Sequence, residues 1–194
     1  SVGVILINWN SGDLTHDCIN SLNKANVVPK CIVVVDNGSS DKSLDSIIKN
    51  FPNVIIIKNE KNKGFAEGNN QGIKYLLCKK VKFIWILNND TVVDKLCLEY
   101  LLELMCENPD IDCSTGKIFY EKPKDRIWYG GGYRHSLHKS ALHSGEGKSN
   151  SDQYNIEKNV EFISGCCMFF RKNVIQDLGP FIKEYVAYSE DNEL

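Results

Sequence analysis

One pattern repeats four times in the first half of the chain: a short unbroken apolar run, a polar break, then a stretch with helical spacing. The apolar runs are residues 2–7, 31–35, 54–57 and 83–87. A strand wetted on one face alternates apolar and polar residues, so an unbroken run suits a strand covered on both faces. Between the runs lies a helical stretch over 13–25, with Leu14, Cys18, Leu22 and Ala25 on its apolar face. A second helix reaches about Lys49, with Ser39, Ser40 and Asp41 as N-cap candidates. A third includes Asn70, Ile73 and Leu77, and a fourth covers 96–105. This alternation predicts an α/β fold: a Rossmann-type, mainly parallel sheet flanked by helices.

The second half has a different texture. Residues 113–120 and 162–170 read as strands, and 173–178 as a short helix closed by Gly179-Pro180. Between them, 122–158 is rich in Gly, Ser, Lys and His without sustained period, and reads as a long excursion with hairpin pieces.

In open parallel sheets, ligands sit beyond the carboxyl ends of the strands, at a switch in strand order. That rule draws attention to Asn8, Asp36 and Asp90, each placed just after an apolar run. Asp36 can accept hydrogen bonds from a nucleobase or ribose, or can simply order the turn at Gly38. Asp90, following Asn88-Asn89, suits a hard cation with oxygen ligands, or caps the next helix. Glu190-Asp191 can supply a general base, or form the solvated end of a helix. All three pairs of readings stay open on spacing alone.

Other chemistries fit less well. The 23 basic and 25 acidic residues give a net charge of -2, so no global positive field points to nucleic acid. His135, His138 and His143 lack a Cys pair or an HExxH spacing for zinc. Gly130-Gly131-Gly132 lacks the lysine of a phosphate loop, and Asn8-Trp9-Asn10-Ser11-Gly12 is no dinucleotide fingerprint. A nucleotidyltransferase would carry a Gly-rich basic loop after the first strand. The eight cysteines form no CxxC pair and fall mostly in apolar segments, which predicts reduced core thiols and a cytosolic setting. No apolar run approaches the roughly 20 residues of a membrane-spanning helix.

Six segments, in order, carry a resemblance: Val4-Ile5-Leu6-Ile7-Asn8-Trp9-Asn10, Val34-Val35-Asp36-Asn37-Gly38-Ser39-Ser40-Asp41, Asn62-Lys63-Gly64-Phe65-Ala66-Glu67-Gly68-Asn69-Asn70-Gln71-Gly72-Ile73, Leu87-Asn88-Asn89-Asp90-Thr91, Phe162-Ile163-Ser164-Gly165-Cys166-Cys167-Met168 and Ser189-Glu190-Asp191. Together they resemble the family-2 glycosyltransferases of GT-A fold, in their rhamnosyltransferase-like branch. The resemblance implies an inverting transferase that takes a sugar from a nucleotide-diphospho-sugar to a saccharide or lipid-linked acceptor. It implies nucleotide contacts at Asn8, Asp36, Asn37, Lys63, Gly64, Asn69, Asn70 and Asn88. It implies a divalent cation, Mn2+ or Mg2+, at Asp90, and catalysis by Asp191 with Glu190 beside it. Two departures stand out: Asn88-Asn89-Asp90 keeps a single carboxylate of the family's DxD element, and Asn69 stands where many relatives have Arg.

The expected organisation is one catalytic domain over 1–194, cut short after Asp191, with a nucleotide-binding half at 1–110 and an acceptor and catalytic half at 111–194. The expected setting is cytoplasmic, with room for peripheral association at the inner face of a membrane. A module that binds a nucleotide sugar without turnover is the rival reading.

Overall fold

The computed structural model describes residues 1–135 and 140–181. Its first half runs β1 (Val2–Asn8), α1 (Gly12–Asn23), β2 (Cys31–Asp36), α2 (Ser43–Asn50), β3 (Ile55–Lys58), α3 (Gly64–Leu77), β4 (Phe83–Leu87) and α4 (Cys97–Glu107). The second half adds β5 (Cys113–Ser114), β6 (Ile118–Phe119), β7 (Ile127–Tyr129), β8 (Gly132–Arg134), β9 (Ala141–His143), a 3-10 turn (Asp152–Tyr154), β10 (Cys167–Arg171) and α5 (Lys172–Leu178).

The main sheet has the order β3-β2-β1-β4-β10-β5. Strands β1 to β4 are mutually parallel, while β10 runs antiparallel to both β4 and β5. The predicted α/β fold, with a mainly parallel sheet flanked by helices, is therefore the fold found. The chain first builds outward from β1 through β2 to β3, then returns to place β4 on the other flank of β1. The switch in strand order thus falls between β1 and β4.

Alternate residues of each strand feed two separate cores. Val4, Leu6, Val34, Trp85 and Phe169 pack with Cys18, Ile19 and Leu22 of α1, Ile47 of α2 and Leu98 of α4. Ile5, Val33, Val35, Ile84 and Phe170 pack with Ala66, Ile73 and Leu76 of α3 and Ile175 of α5. Both faces being dry explains the unbroken apolar runs. Helix α3 lies tight on β1: a Cβ at Gly72 would come within 2.6 Å of Ile5 Cγ2.

Several local expectations change. Leu14 is half exposed, and the inner face of α1 is Thr15, Cys18, Ile19 and Leu22, the i, i+3, i+4, i+7 set. Ser39 and Ser40 do not cap α2; Asp41 accepts the amide of Ser43 at 3.0 Å instead. The strand expected over 113–120 is two, because Ser114 pairs with Phe169 of the main sheet while Ile118 pairs with Tyr129 in a small one. Only Cys167–Arg171 of the apolar stretch from Phe162 is strand; Ser164 accepts the amides of Cys166 and Cys167 in a buried turn before it. The excursion over 122–158 does hold hairpin pieces, with β8 pairing β9. It is anchored by Lys117, whose ammonium bonds Asn150 Oδ1 at 2.7 Å and the Tyr154 carbonyl at 3.2 Å. Burial lowers the pKa of that ammonium.

All eight cysteines are free thiols. Burial pushes Cys18 and Cys97 up to about 12, which keeps them protonated and inert at neutral pH. Cys78 and Cys106 are exposed, against the expectation of a core location.

Candidate active site

At the carboxyl end of the sheet, four strand-end loops are braced against one another. Asn8 closes β1 opposite Asp36 in the register of β2, and both are wholly buried. Asn8 Nδ2 donates to Asp36 Oδ1 at 2.9 Å and to Ser39 Oγ at 3.1 Å, while its Oδ1 accepts the Thr15 hydroxyl at 2.7 Å. Ser39 folds back onto the carboxylate, donating its hydroxyl to Oδ1 at 2.5 Å and its amide to Oδ2 at 3.2 Å. Asn10, at φ 51, accepts the Ser40 amide at 2.8 Å, which ties the loop after β1 to the loop after β2.

A second amide cluster joins β2, the loop after β3 and helix α3. Asn37 donates to the Gly64 carbonyl at 3.0 Å and accepts from Asn59 at 3.0 Å. Asn59 and Gln71 exchange a reciprocal pair at 2.8 and 3.0 Å. Gly38 sits at φ 74 with Lys61 backbone so close that a Cβ would meet it at 2.6 Å. Only glycine meets both demands there. Lys63 precedes α3 and is exposed, and the Gly64 amide donates to Asn62 Oδ1 at 2.8 Å.

The two asparagines of α3 have different roles. Asn70 clamps the backbone of Phe181, donating to its carbonyl at 2.9 Å and accepting its amide at 2.8 Å. Asn69 is wholly buried and donates to the Phe65 carbonyl at 3.1 Å, but its Oδ1 has no partner among the described residues. An unmet buried acceptor costs about 1–3 kcal/mol.

Across the switch point, the turn after β4 holds Asn88, Asn89 and Asp90. The Asn88 amide donates to Cys166, and its carbonyl accepts the Thr91 hydroxyl at 2.8 Å. Asn89 donates its side-chain amide to Ser11 and Thr15 of the α1 start, both at 2.7 Å. Asp90 is exposed, and no described residue bonds its carboxylate. Among the described residues no three His, Cys, Asp or Glu side chains converge on a metal position. A nucleotide-dependent cation still fits, since Mg2+ and Mn2+ use one or two carboxylates plus phosphate oxygens. Glu190 and Asp191 lie outside the described residues, as does His138. His143 packs its ring on Trp128 and Tyr129 at 4.8 and 5.0 Å.

Sequence reasoning therefore named Asn8, Asp36, Asn37 and Asn88 but missed Thr15, Ser39 and Asn59, which bond the first three directly, and Asn10, Ser11, Gln71 and Asn89, which brace the surrounding loops. The signal available for Thr15 was a polar residue at helical spacing from Cys18, Ile19 and Leu22. Nothing in the sequence pairs Asn59 with Gln71.

The sequence profile of Glycosyl transferase family 2 matches residues 3–179. The chain is 28% identical over 114 residues to a poly-beta-1,6-N-acetyl-D-glucosamine synthase of Staphylococcus aureus, covering 58% of this chain and 27% of that protein. A synthase of the same name from Staphylococcus epidermidis is 23% identical, with 97% and 44% covered. The chain thus spans less than half the length of these relatives. Among solved structures, S. aureus TarS 1-349 in complex with UDP-GlcNAc has a TM-score of 0.68 at 20% identity, covering 99% of this chain and 51% of that one. Mannosyltransferase PcManGT from Pyrobaculum calidifontis, in complex with GDP-Man and Mn2+, has a TM-score of 0.67 at 14% identity, covering 98% and 49%.

Proposed function

The chain belongs to glycosyl transferase family 2, and from that premise we propose that it transfers a sugar, hexosyl or rhamnosyl, from a nucleotide-diphospho-sugar to an acceptor hydroxyl with inversion. The acceptor is a saccharide or lipid-linked saccharide in cell-surface polysaccharide synthesis, on the cytoplasmic side of the membrane. The observation that carries the reading is the cross-braced set of strand-end loops at the switch point, built around Asp36, with the exposed Asp90, which has no bonded partner among the described residues, in the turn after β4. The named similarity to a polysaccharide synthase, and to structures holding UDP-GlcNAc and GDP-Man, supports the donor class.

The nucleotide lies over the loops after β1, β2 and β3, in the 1–110 half. Asp36 fixes Ser39 and the turn at Gly38, so the surface offered to base and ribose is formed before the ligand arrives. Lys63 and Gly64 line the approach toward the diphosphate, with the buried Asn37 holding Gly64 and the buried Asn69 bracing the first turn of α3. A Mn2+ or Mg2+ ion would be held by Asp90 with the diphosphate oxygens, and would supply charge neutralisation for the leaving group. Asp191, with Glu190 beside it, takes the proton of the acceptor hydroxyl. The 111–194 half brings the acceptor, which lowers the entropic cost of a bimolecular step.

The test is a thermal-shift screen of nucleoside diphosphates and diphospho-sugars with and without manganese, followed by assay of nucleoside diphosphate release. One nucleotide class should raise the melting temperature, more with manganese than without. No shift with any nucleotide would overturn the reading. A shift without turnover in the presence of acceptors would favour a binding module.

A further inference from the structure

The opposite end of the sheet has a character of its own. The amino ends of β1, β2 and β4 and the carboxyl end of β10 meet there, together with the carboxyl end of α3. Lys30 precedes β2, Lys79 and Lys80 follow α3, Lys82 precedes β4, and Lys172 follows β10. Direct contacts hold them in one patch. Lys30 Nζ reaches the Lys80 carbonyl at 3.4 Å, Lys172 Nζ reaches the Lys79 carbonyl at 2.8 Å, and the Lys172 amide donates to the Lys82 carbonyl at 3.0 Å. An open concavity of about 390 Å³ between Lys82, Lys172, Asn173 and Gln176 continues the patch.

None of the five lysines forms an ion pair among the described residues. Asp112, whose carbonyl accepts the Arg171 amide, and Asp177 of α5 form no ion pair with them among the described residues. The neighbouring Arg171 turns its guanidinium inward to the carbonyls of Met105, Asn108 and Ile111, so it adds charge without a free donor fork. The bland account is that lysines complement a helix carboxyl end. That end is worth about half a negative charge, whereas five ammonium groups gather here on a chain whose net charge is -2. Beside Lys30, Val28 leaves 54% of its surface in water.

We propose that this end of the sheet docks on an anionic phospholipid membrane. Clustered lysines draw a protein to anionic headgroups, and a lone exposed aliphatic suits the headgroup boundary. Spread over five side chains and a shallow concavity, the charge matches a surface better than a single phosphate. The inference does not depend on the chemistry at the other end of the sheet. It has a geometric consequence: the strand-end loops face away from the bilayer, so the saccharide end of a membrane-held acceptor must stand clear of the headgroups to reach them.

Co-sedimentation with vesicles of phosphatidylcholine alone, and of equal parts phosphatidylcholine and phosphatidylglycerol, tests this. The chain should bind only the anionic vesicles and release at about 1 M salt, where charges are screened within about 3 Å. Lys79→Gln/Lys80→Gln/Lys82→Gln should weaken binding about a hundredfold, roughly fivefold per lysine, with an unchanged melting temperature. The matched variant Lys42→Gln/Lys61→Gln/Lys63→Gln, at the other end of the sheet, should bind as the parent does. Absence of binding to anionic vesicles, equal loss in both variants, or retention on a soluble polyanion without vesicle binding would each overturn the proposal.

Discussion

Asp36→Ala is the sharpest probe of how the strand-end loops are organised. The carboxylate is wholly buried and accepts three hydrogen bonds: Asn8 Nδ2 at 2.9 Å, Ser39 Oγ at 2.5 Å and the Ser39 amide at 3.2 Å. A bond to a charged acceptor contributes about 1.5–3 kcal/mol, and a donor left unmet in the interior costs a further 1–3 kcal/mol. Water can reach the two Ser39 donors once the side chain is gone, but not readily the buried Asn8 amide. The net loss is then about 3–5 kcal/mol. For a chain of this size each kcal/mol shifts the melting temperature by about 2–4 °C, so calorimetry should record a fall of roughly 10 °C. Nucleotide affinity, measured by titration calorimetry below the new transition, should drop at least tenfold, about 1.4 kcal/mol. Ser39→Ala then separates two roles. It removes the hydroxyl lying over Oδ1; if the carboxylate itself meets the nucleotide, affinity holds or rises, and if Ser39 is the contact, affinity falls. A melting temperature unmoved by Asp36→Ala would refute the organising role. A large fall in stability with nucleotide affinity intact would refute the placement of the nucleotide over this loop.

Asp191→Asn should abolish turnover, by 10²- to 10⁴-fold on the scale of a lost general base, while donor binding stays near that of the parent; near-normal kcat in an acceptor assay sinks the assignment. Asp90→Ala should erase the manganese dependence of nucleotide binding and little else, as read by titration with and without chelator, and a persistent manganese effect would place the cation elsewhere. Gly72→Ala puts a Cβ at 2.6 Å from Ile5 Cγ2; overpacking of about 1–3 kcal/mol outweighs the helix-propensity gain of about 1 kcal/mol, so the melting temperature should fall by a few degrees rather than rise. Cys97 is held near 12 by burial against an ordinary 9.0; the folded thiol keeps its proton while the unfolded one loses it, so its contribution is intact below pH 9 and fades as pH climbs toward 12. Melting curves from neutral pH upward should therefore decline less steeply in Cys97→Ala, and equal slopes would refute it.

The parallel half was legible because both faces of its sheet are dry, and dryness writes itself as unbroken apolar runs. The same signal misled in the second half. Ile163 and Cys166 are buried like strand residues but lie outside the strand, Cys166 in the turn that leads into it, since apolarity reports burial and not hydrogen bonding. Residues 113–120 looked continuous because a run of side chains carries no mark of the sheet it joins. In the site, strand-end position singled out Asn8, Asp36 and Asn88, yet the Asn59–Gln71 pair joins a loop to a helix turn across 12 positions and has no pattern to find. Leu14 shares the four-residue spacing of Cys18 and Leu22 yet is half exposed; Thr15 takes the inner face because Asn8 and Asn89 satisfy its hydroxyl.

The antiparallel pairing of β10 with β4 also bears on how the chain emerges during synthesis. Strand β4, Phe83-Ile84-Trp85-Ile86-Leu87, gains its outer neighbour only when Cys167–Arg171 arrives, about eighty residues later. At ribosomal speeds of about 5–20 residues per second that is on the order of ten seconds. Throughout that interval the nascent sheet presents an aromatic, unpaired edge of the sort that recruits other strands. A ribosome stalled within the excursion over 122–158 would thus release an aggregation-prone fragment. Rare codons there should lower soluble yield more than the same codons placed after Arg171.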